Sequence, residues 1–262
     1  MMLDELLVEN RDRVCTLTLN RPQVRNAADP ATMIALGEAV TACDEQSGTR
    51  VVVITGTGGA FSSGADIGAA MQPGFTPDRA YSALVDAYAP AFKAIRDCPW
   101  PVIAAVDGMA AGMGCDLALA CDIRLVSERG AFAELFIRVG LIPDGGGTYL
   151  LPRIVGLGKA LEMMFTGETV SAADALALGL ANKVYPVESF YDRVQDYAVR
   201  LAGQSPHALI RGKRAMLAAL GDASYAQAMA REAQFQREIF ATEDGLEGFA
   251  AFLEKRPPRW KG

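Results

Sequence analysis

The sequence predicts an α/β protein, with a core of alternating strands and helices followed by a helical C-terminal part. In the first half of the 262 residues, short apolar β-branched runs alternate with stretches of helical periodicity. After about residue 156 the strand signals nearly vanish. The composition, 51% apolar and 21% charged, is that of a globular protein with a sizeable core. No Pro-, Gly- or Ser-rich linker divides the chain, so one large domain, or one domain with an appendage, is expected.

Strands are expected at VCTLTLN (14–20), RVVVITGT (50–57), PVIAAVDG (101–108) and DIRLVSE (122–128). Between the first two, DPATMIALGEAVTACDEQ reads as a helix with Asp29 as N-cap and Pro30 at the first helical position. Between the second and third, DRAYSALVDAYAPAFKAIRDC is helical too, with Pro90 expected to kink or end it. Strand, helix, strand at this spacing implies crossover connections. The stretch GAAMQPGFTPD (68–78) reads as a mobile loop. Further on, SAADALALG carries a Ser171–Asp174 capping pair and ends on Gly179. Residues 188–203, 206–220 and 223–255 then read as successive amphipathic helices.

Charge and rare residues remove several classes of function. The net charge is −6 and the one basic cluster is the short tail LEKRPPRWK, so no nucleic-acid surface is expected. The start, MMLDELLVEN, lacks the basic-then-apolar order of a signal peptide, and no apolar run approaches a membrane span. Cys15, Cys43, Cys98, Cys115 and Cys121 are odd in number and lack paired metal spacing. Reduced, buried thiols in a cytosolic protein are the expectation. His207 is the single histidine and sits in a helical, surface-like pattern, SPHALIRGKRAM. Histidine-based hydrolase triads and metal sites are thereby disfavoured, and acid–base chemistry falls to carboxylates.

Three glycine-rich corners remain. VVVITGTGGAFSSGADI (51–67) runs from a strand into a Gly/Ser loop, but misses both GxGxxG and GxSxG. DGMAAGMGCDLALACD (107–122) ends a strand and opens a helix near Gly112–Gly114. Such a helix start can hold an anion through free N–H groups, or can simply be a tightly packed turn. GLIPDGGGTYLLPR (140–153) sets Asp144 between a proline and three glycines, where it either caps a turn or does chemistry.

Taken together, these corners resemble the crotonase superfamily, the enoyl-CoA hydratases and isomerases. The resemblance is carried by LNRPQVRNA (19–27), GGAFSSGADI (58–67), PVIAAVDGMAAGMGCDLALACDIR (101–124), GLIPDGGGTYLLPR (140–153), GETVSAADALALGLANKV (167–184) and EGFAAFLEKRPP (247–258), essentially the whole chain. It implies a crotonase (ClpP-like) spiral of ββα units over 1–200 and a helical oligomerisation region over 201–262, assembled as a trimer or dimer of trimers. It also implies an acyl-CoA thioester substrate, no metal and no separate cofactor. An enolate-like state would be held by the backbone N–H groups of Ala65 and Met113. Many members carry glycine at the second position, so a left-handed Met113 would be costly. Coenzyme A would be met by the segments holding Arg25, Ala27, Ser63, Ala65, Asp66 and Ile67, with Lys255 reaching this or a neighbouring subunit's site. Arg25 and Lys255 equally suit ordinary solvated surface positions.

Hydratases of the family use two glutamates. Here the first position is Asp116 and the second is Phe136, while Glu134 lies two residues outside the matched place. Shifting a double bond needs one carboxylate, and Asp144 matches the acid of epoxyphenylacetyl-CoA isomerase-like and Δ3,Δ2-enoyl-CoA isomerase-like members at GLIPD-GGT-LLPR. The glycines around it are expected to let the acyl chain approach, with Phe136 and Leu141 in the acyl pocket. Asp116 serves either as a second acid or as a first-turn carboxylate on the helix dipole. The expected activity is enoyl-CoA isomerisation through Asp144. Hydration by an Asp116–Asp144 pair, and acyl-CoA binding without turnover, are the alternatives, and a nucleotide-dependent oxidoreductase is distant.

Overall fold

The computed structural model describes residues 5–70 and 74–262. The expected loop at 68–78 includes residues 71–73, which lie outside the described ones. A six-stranded sheet forms the centre, in the order β1 (Leu6–Arg11), β2 (Val14–Leu19), β3 (Val51–Gly56), β4 (Val102–Val106), β6 (Ile123–Ser127), β9 (Lys183–Tyr185). β1 pairs antiparallel with β2 as an edge hairpin, and the remaining pairs are parallel. Every residue of β3 and β4 is buried, as in a parallel sheet covered on both faces.

A second, three-stranded sheet holds β5 (Met109–Ala111), β7 (Ala131–Ala133) and β8 (Val170–Ser171). Its order explains the chain path. β4 feeds β5 and then helix α5 (Met113–Ala120); β6 feeds β7 and then, after a 3-10 turn at Leu135–Val139, helix α6 (Gly147–Val155). β3 is followed by a single bridge from Ser62 to Ala110 and then by helices. The chain thus repeats strand, short strand, helix, with each short strand turning into the second sheet. This is the expected spiral of ββα units, legible in topology although the units share no sequence repeat.

Helix α1 (Pro30–Thr41) starts as expected, with Asp29 Oδ1 accepting the Thr32 N–H at 2.8 Å. Pro90 neither ends nor breaks its helix. α2 (Ile67–Ala70) and α3 (Pro77–Ala83) lead into a π turn at Leu84–Tyr88, and α4 (Ala89–Asp97) follows with Pro90 in its first turn. The wider turn upstream relieves the clash of the proline ring with the preceding carbonyl. Tyr88, the last residue of that turn, is buried.

Beyond residue 156, α7 (Leu157–Thr166), α8 (Ala172–Ala177), α9 (Phe190–Ala202) and α10 (Pro206–Ala219) follow. Ser171 caps α8 by accepting the Asp174 N–H. The expected single helix over 223–255 is two, α11 (Tyr225–Phe240) and α12 (Glu243–Leu253), because Thr242 caps a new start by accepting the Gly245 N–H. α9 covers the outer face of the large sheet through Phe190, Val194, Ala198 and Ala202. The larger core lies on the other face, beneath α1, α4 and α5.

Candidate active site

The three corners meet at the junction of the two sheets. Ser62, fully buried, laces the first two: its N–H donates to Met109 O and its carbonyl accepts the Ala111 N–H. Its hydroxyl donates to Asn26 O at 2.8 Å and accepts from Gly64 N–H. Gly64 has φ +104°, and a Cβ there would stand 2.8 Å from Ala111 O and 3.3 Å from Met113 N. The backbones around Ala65 and Met113 are therefore in direct apposition. Among the described residues, the N–H groups of Ala65 and Met113 have no acceptor. Two unused donors at one junction are the kind of group that an oxyanion hole needs.

Methionine at 113 costs nothing in backbone conformation. Gly112 takes the positive φ, +53°, and Met113 begins α5 with an ordinary helical backbone. Gly112 is held by its N–H donating to Ala133 O at 2.8 Å, which ties the corner to β7.

The segment matched to coenzyme A recognition is braced by residues that pattern reading passed over. Asn26 is buried and its amide donates to Thr57 O and Ala60 O. Arg21 donates to Ala27 O at 2.8 Å and pairs with Asp66 at 2.9 Å, with Glu5 and Asp29 close by. Asp66 is thus engaged in holding its own loop. Arg25 is exposed in a left-handed conformation, φ +53°, with its carbonyl accepting the Ser63 N–H. Ala27 is buried, and Ser63 and Ile67 are exposed. Lys255 is exposed beyond α12 and makes no hydrogen bond or ion pair with the corners. Tyr88, delivered by the π turn, donates to Ala28 O at 3.1 Å. Burial first, then the carboxylates of Asp29, Asp144 and Asp66, push its pKa up to about 12, so it remains a donor.

The third corner packs on the second. Gly145 and Gly147 make room for Asp116. A Cβ on Gly145 would come within 2.5 Å of Phe92 Cζ and 2.7 Å of Asp116 Cβ, and one on Gly147 would overlap Asp116 Oδ1. Asp116, in the first turn of α5 and 0% exposed, accepts the Gly145 N–H on Oδ2 at 2.7 Å. The second corner therefore holds the third through this carboxyl. Burial, then Glu134 and Asp144, raise the Asp116 pKa well above the carboxylate range, against the lowering effect of the Gly145 and Gly147 N–H groups.

Glu134 belongs to the same cluster. It follows Ala133, the residue that holds Gly112, and is 0% exposed. Burial, then Asp144, lifts its pKa to about 7, opposed by the Cys115 thiol beside it. Its sequence signal was an acid inside the apolar run FAELFIRVGLI. Asp144 differs from both: it is exposed, yet the protein mass around it raises its pKa, opposed by its own N–H. Phe136 is buried against the same corner, its ring 4.0 Å from where a Cβ on Gly112 would stand, and Leu141 is 58% exposed at the rim.

His207 lies on α10 beside Arg211. Among the described residues no His, Cys, Asp or Glu cluster could hold a metal ion, and no helix is long and apolar enough to cross a membrane. Two clefts of about 760 and 550 Å³ lie elsewhere, and neither is lined by Ala65, Met113 or Asp144.

Comparison with known proteins agrees with this fold. The family model described as "Enoyl-CoA hydratase/isomerase" matches residues 9–262. A probable enoyl-CoA hydratase of Rhodobacter capsulatus is 38% identical over 97% of this chain and 96% of its own. The crotonyl-CoA hydratase of Syntrophomonas wolfei is 34% identical over 98% and 97%. Among solved structures, the enoyl-CoA hydratase of Bacillus anthracis superposes with a TM-score of 0.93 at 32% identity, over 99% of this chain and 100% of that one. These names favour hydration over the expected isomerisation. With the fold, the paired free N–H groups and a family match spanning nearly its full length, the chain belongs to the enoyl-CoA hydratase/isomerase family of the crotonase superfamily.

Proposed function

We propose that this enzyme shifts the double bond of an enoyl-CoA thioester, with Asp144 as the acid–base group. The observation that carries the reading is accessibility. Of the three carboxyls at the junction, Asp144 is exposed, whereas Asp116 and Glu134 are buried. One carboxylate can take a proton from C2 and return it at C4, whereas adding water requires a second group to activate the water. Phe136, at the place where family hydratases carry a second glutamate, leaves that group out.

In this mechanism the thioester oxygen sits between the N–H groups of Ala65 and Met113. Ionised Asp144 removes the C2 proton, the enolate charge moves onto the oxygen, and protonated Asp144 delivers to C4. Its raised pKa brings base and acid forms closer in energy. No metal or redox group enters, because the oxyanion donors stabilise the charge and no electrons leave the substrate.

Hydration is the second reading, favoured by the names of the relatives; it requires Asp116 to become accessible with substrate bound and to act with Asp144. Offering a 3-enoyl-CoA and, separately, a 2-enoyl-CoA separates the two. Conjugation appearing from the first supports isomerisation; uptake of labelled water oxygen by the second, without the first, sinks it.

We further infer assembly into a trimer or dimer of trimers through the C-terminal helices. Leu246, Phe249, Phe252 and Leu253 are 67, 58, 82 and 79% exposed on α12 of the single chain. A monomeric mass by light scattering would remove this part.

A further inference from the structure

The Ala65 N–H shares a planar peptide unit with the Gly64 carbonyl, so whatever holds that carbonyl also aims the N–H. Ala28 holds it. The Ala28 N–H donates to Gly64 O at 2.8 Å, and the Ala28 carbonyl accepts the Asp66 N–H at 3.0 Å. Ala28 and Ala65 thereby form an isolated parallel bridge, with one bond on each side of Ala65. Ala28 is 0% exposed, so both its backbone polar groups depend on partners within the protein.

The second acceptor place on the Ala28 carbonyl is filled by a side chain: the Tyr88 hydroxyl donates to it at 3.1 Å. An irregular piece of backbone brings that hydroxyl to the corner. The chain leaves at Ile67, where α2 begins directly after Asp66, and Tyr88 ends the π turn that precedes α4. The Ala89 N–H donates to Leu84 O, which makes the turn one residue wider than that of an α-helix. One extra residue turns everything after it by roughly 100° about the helix axis. Ala87 and Tyr88 are both buried as a result. A buried tyrosine needs some acceptor, and many carbonyls would satisfy it equally. This one meets the carbonyl that fixes the loop carrying an unused N–H.

We propose that Tyr88 is a positioning residue for the oxyanion site: its hydroxyl, acting through the Ala28 carbonyl, holds the Gly64–Ala65 peptide so that the Ala65 N–H stays in apposition to the Met113 N–H. This role rests on the enolate reading of the site. Arg21 braces the same loop through Ala27 O and Asp66, so losing the hydroxyl loosens the peptide without releasing it. The consequence falls mainly on the state in which charge has reached the thioester oxygen, because a misaligned donor loses most where the charge is greatest.

Tyr88→Phe tests this, since it keeps the ring, and the Ala28 carbonyl retains the Asp66 N–H. The first readout needs no turnover. Acetyl-CoA carrying a heavy isotope at its thioester carbonyl is bound to each protein, and the infrared stretch of that carbonyl is compared with its value in water. A shift to lower frequency is expected in wild type, and a clearly smaller one in Tyr88→Phe. Equal shifts in the two proteins overturn the positioning role and leave the oxyanion reading standing. No binding, or no shift, in wild type overturns the oxyanion reading and the role of Tyr88 with it. In turnover of a 3-enoyl-CoA, kcat of Tyr88→Phe is expected to fall about tenfold with KM hardly moved, a fraction of the cost of losing a whole donor. A rise in KM with kcat intact overturns the role. Meta-fluorotyrosine incorporated in place of Tyr88 keeps the hydroxyl and is expected to keep the wild-type carbonyl shift and kcat. A loss there, with the hydroxyl still present, assigns the effect to ring packing and overturns the role, even where Tyr88→Phe does not fold.

Discussion

Asp107 and Asp116 are nine positions apart in sequence, at opposite ends of the same strand-to-helix corner, and both are almost fully buried. Their surroundings are opposites. Asp107 accepts from Ser127 Oγ at 2.7 Å, from Arg129 Nε at 2.7 Å and from Tyr191 OH at 3.2 Å, with a second Arg129 nitrogen on Oδ2. Burial alone would raise its pKa, but the Arg129 fork and the two hydroxyls reverse this and hold it below the usual range. Asp116 is buried with two acidic neighbours and no cation, and the Gly145 and Gly147 N–H groups do not offset them, so its pKa moves up. Burial is common to both and does not separate a structural carboxyl from one at a reacting centre. The partners differ: those of Asp107 favour its charged form, and those of Asp116 favour its neutral form.

The comparison breaks most visibly at the site end. Asp144→Asn should lower kcat/KM for a 3-enoyl-CoA by about a thousandfold, because a positioned acid–base group contributes roughly 10²–10⁴. KM and melting temperature should hardly change. A loss under tenfold, followed by conjugation at the thioester absorbance, would remove Asp144 from the mechanism. Gly64→Ala comes next. Its Cβ would press on Ala111 O and towards Met113 N in a φ that side chains avoid, so the two donors should separate. A fall in kcat of about a hundredfold is expected, in line with the loss of one oxyanion donor. If KM rises instead with kcat intact, the N–H pair holds ground-state substrate rather than the enolate.

At the other end, Asp107→Asn should leave kcat within about twofold of wild type and cost about 2 kcal/mol of unfolding free energy, since a buried charge-assisted bond is lost while Arg129 remains half exposed and hydrated. The sign with pH is fixed by the lowered pKa. The wild-type advantage is present above the ordinary carboxylate range and fades as pH falls through the depressed value. Urea titrations of both proteins at pH 7 and in mild acid measure it. An advantage that grows in acid would contradict the assignment.

How much of this the sequence reveals depends on the length and burial of each element. β2, β3, β4 and β6 were legible because five or six consecutive residues, largely apolar and β-branched, lie inside a parallel sheet. β5, β7 and β8 read Met-Ala-Ala, Ala-Phe-Ala and Val-Ser, too short for any period to show, and their pairing comes from the spiral rather than from local preference. The third glycine corner points to Asp144, and the family resemblance to Ala65 and Met113. Their assembly is not legible: Ser62, in a loop that misses the GxSxG pattern, ties two corners, and Asn26 and Arg21 act through backbone carbonyls that leave no pattern in sequence. Glu134 was set aside because it misses a matched position by two residues. Its burial, decided by strand β7 ending beside Gly112, is what gives it weight.

The smallest expected effect is also the one that best distinguishes the two kinds of buried acid, because its sign is opposite to that at Asp107. Glu134 has a folded pKa of about 7 against a reference of 4.5. Between those values the folded chain holds a proton that the unfolded chain has released, so stability falls as pH rises. The contribution is fully present below about pH 4.5 and gone above about pH 7. From pH 5 to pH 8, wild type should therefore lose on the order of 2 kcal/mol more unfolding free energy than Glu134→Gln, whose amide does not titrate. Carboxyls common to both proteins cancel in the difference. A zero difference would mean that Glu134 carries its charge without cost in the fold, and that the contrast with Asp107 is one of position alone. A difference of the expected sign, alongside the opposite slope for Asp107→Asn, would establish that one corner of this fold holds one acid as a permanent anion and another as a proton carrier.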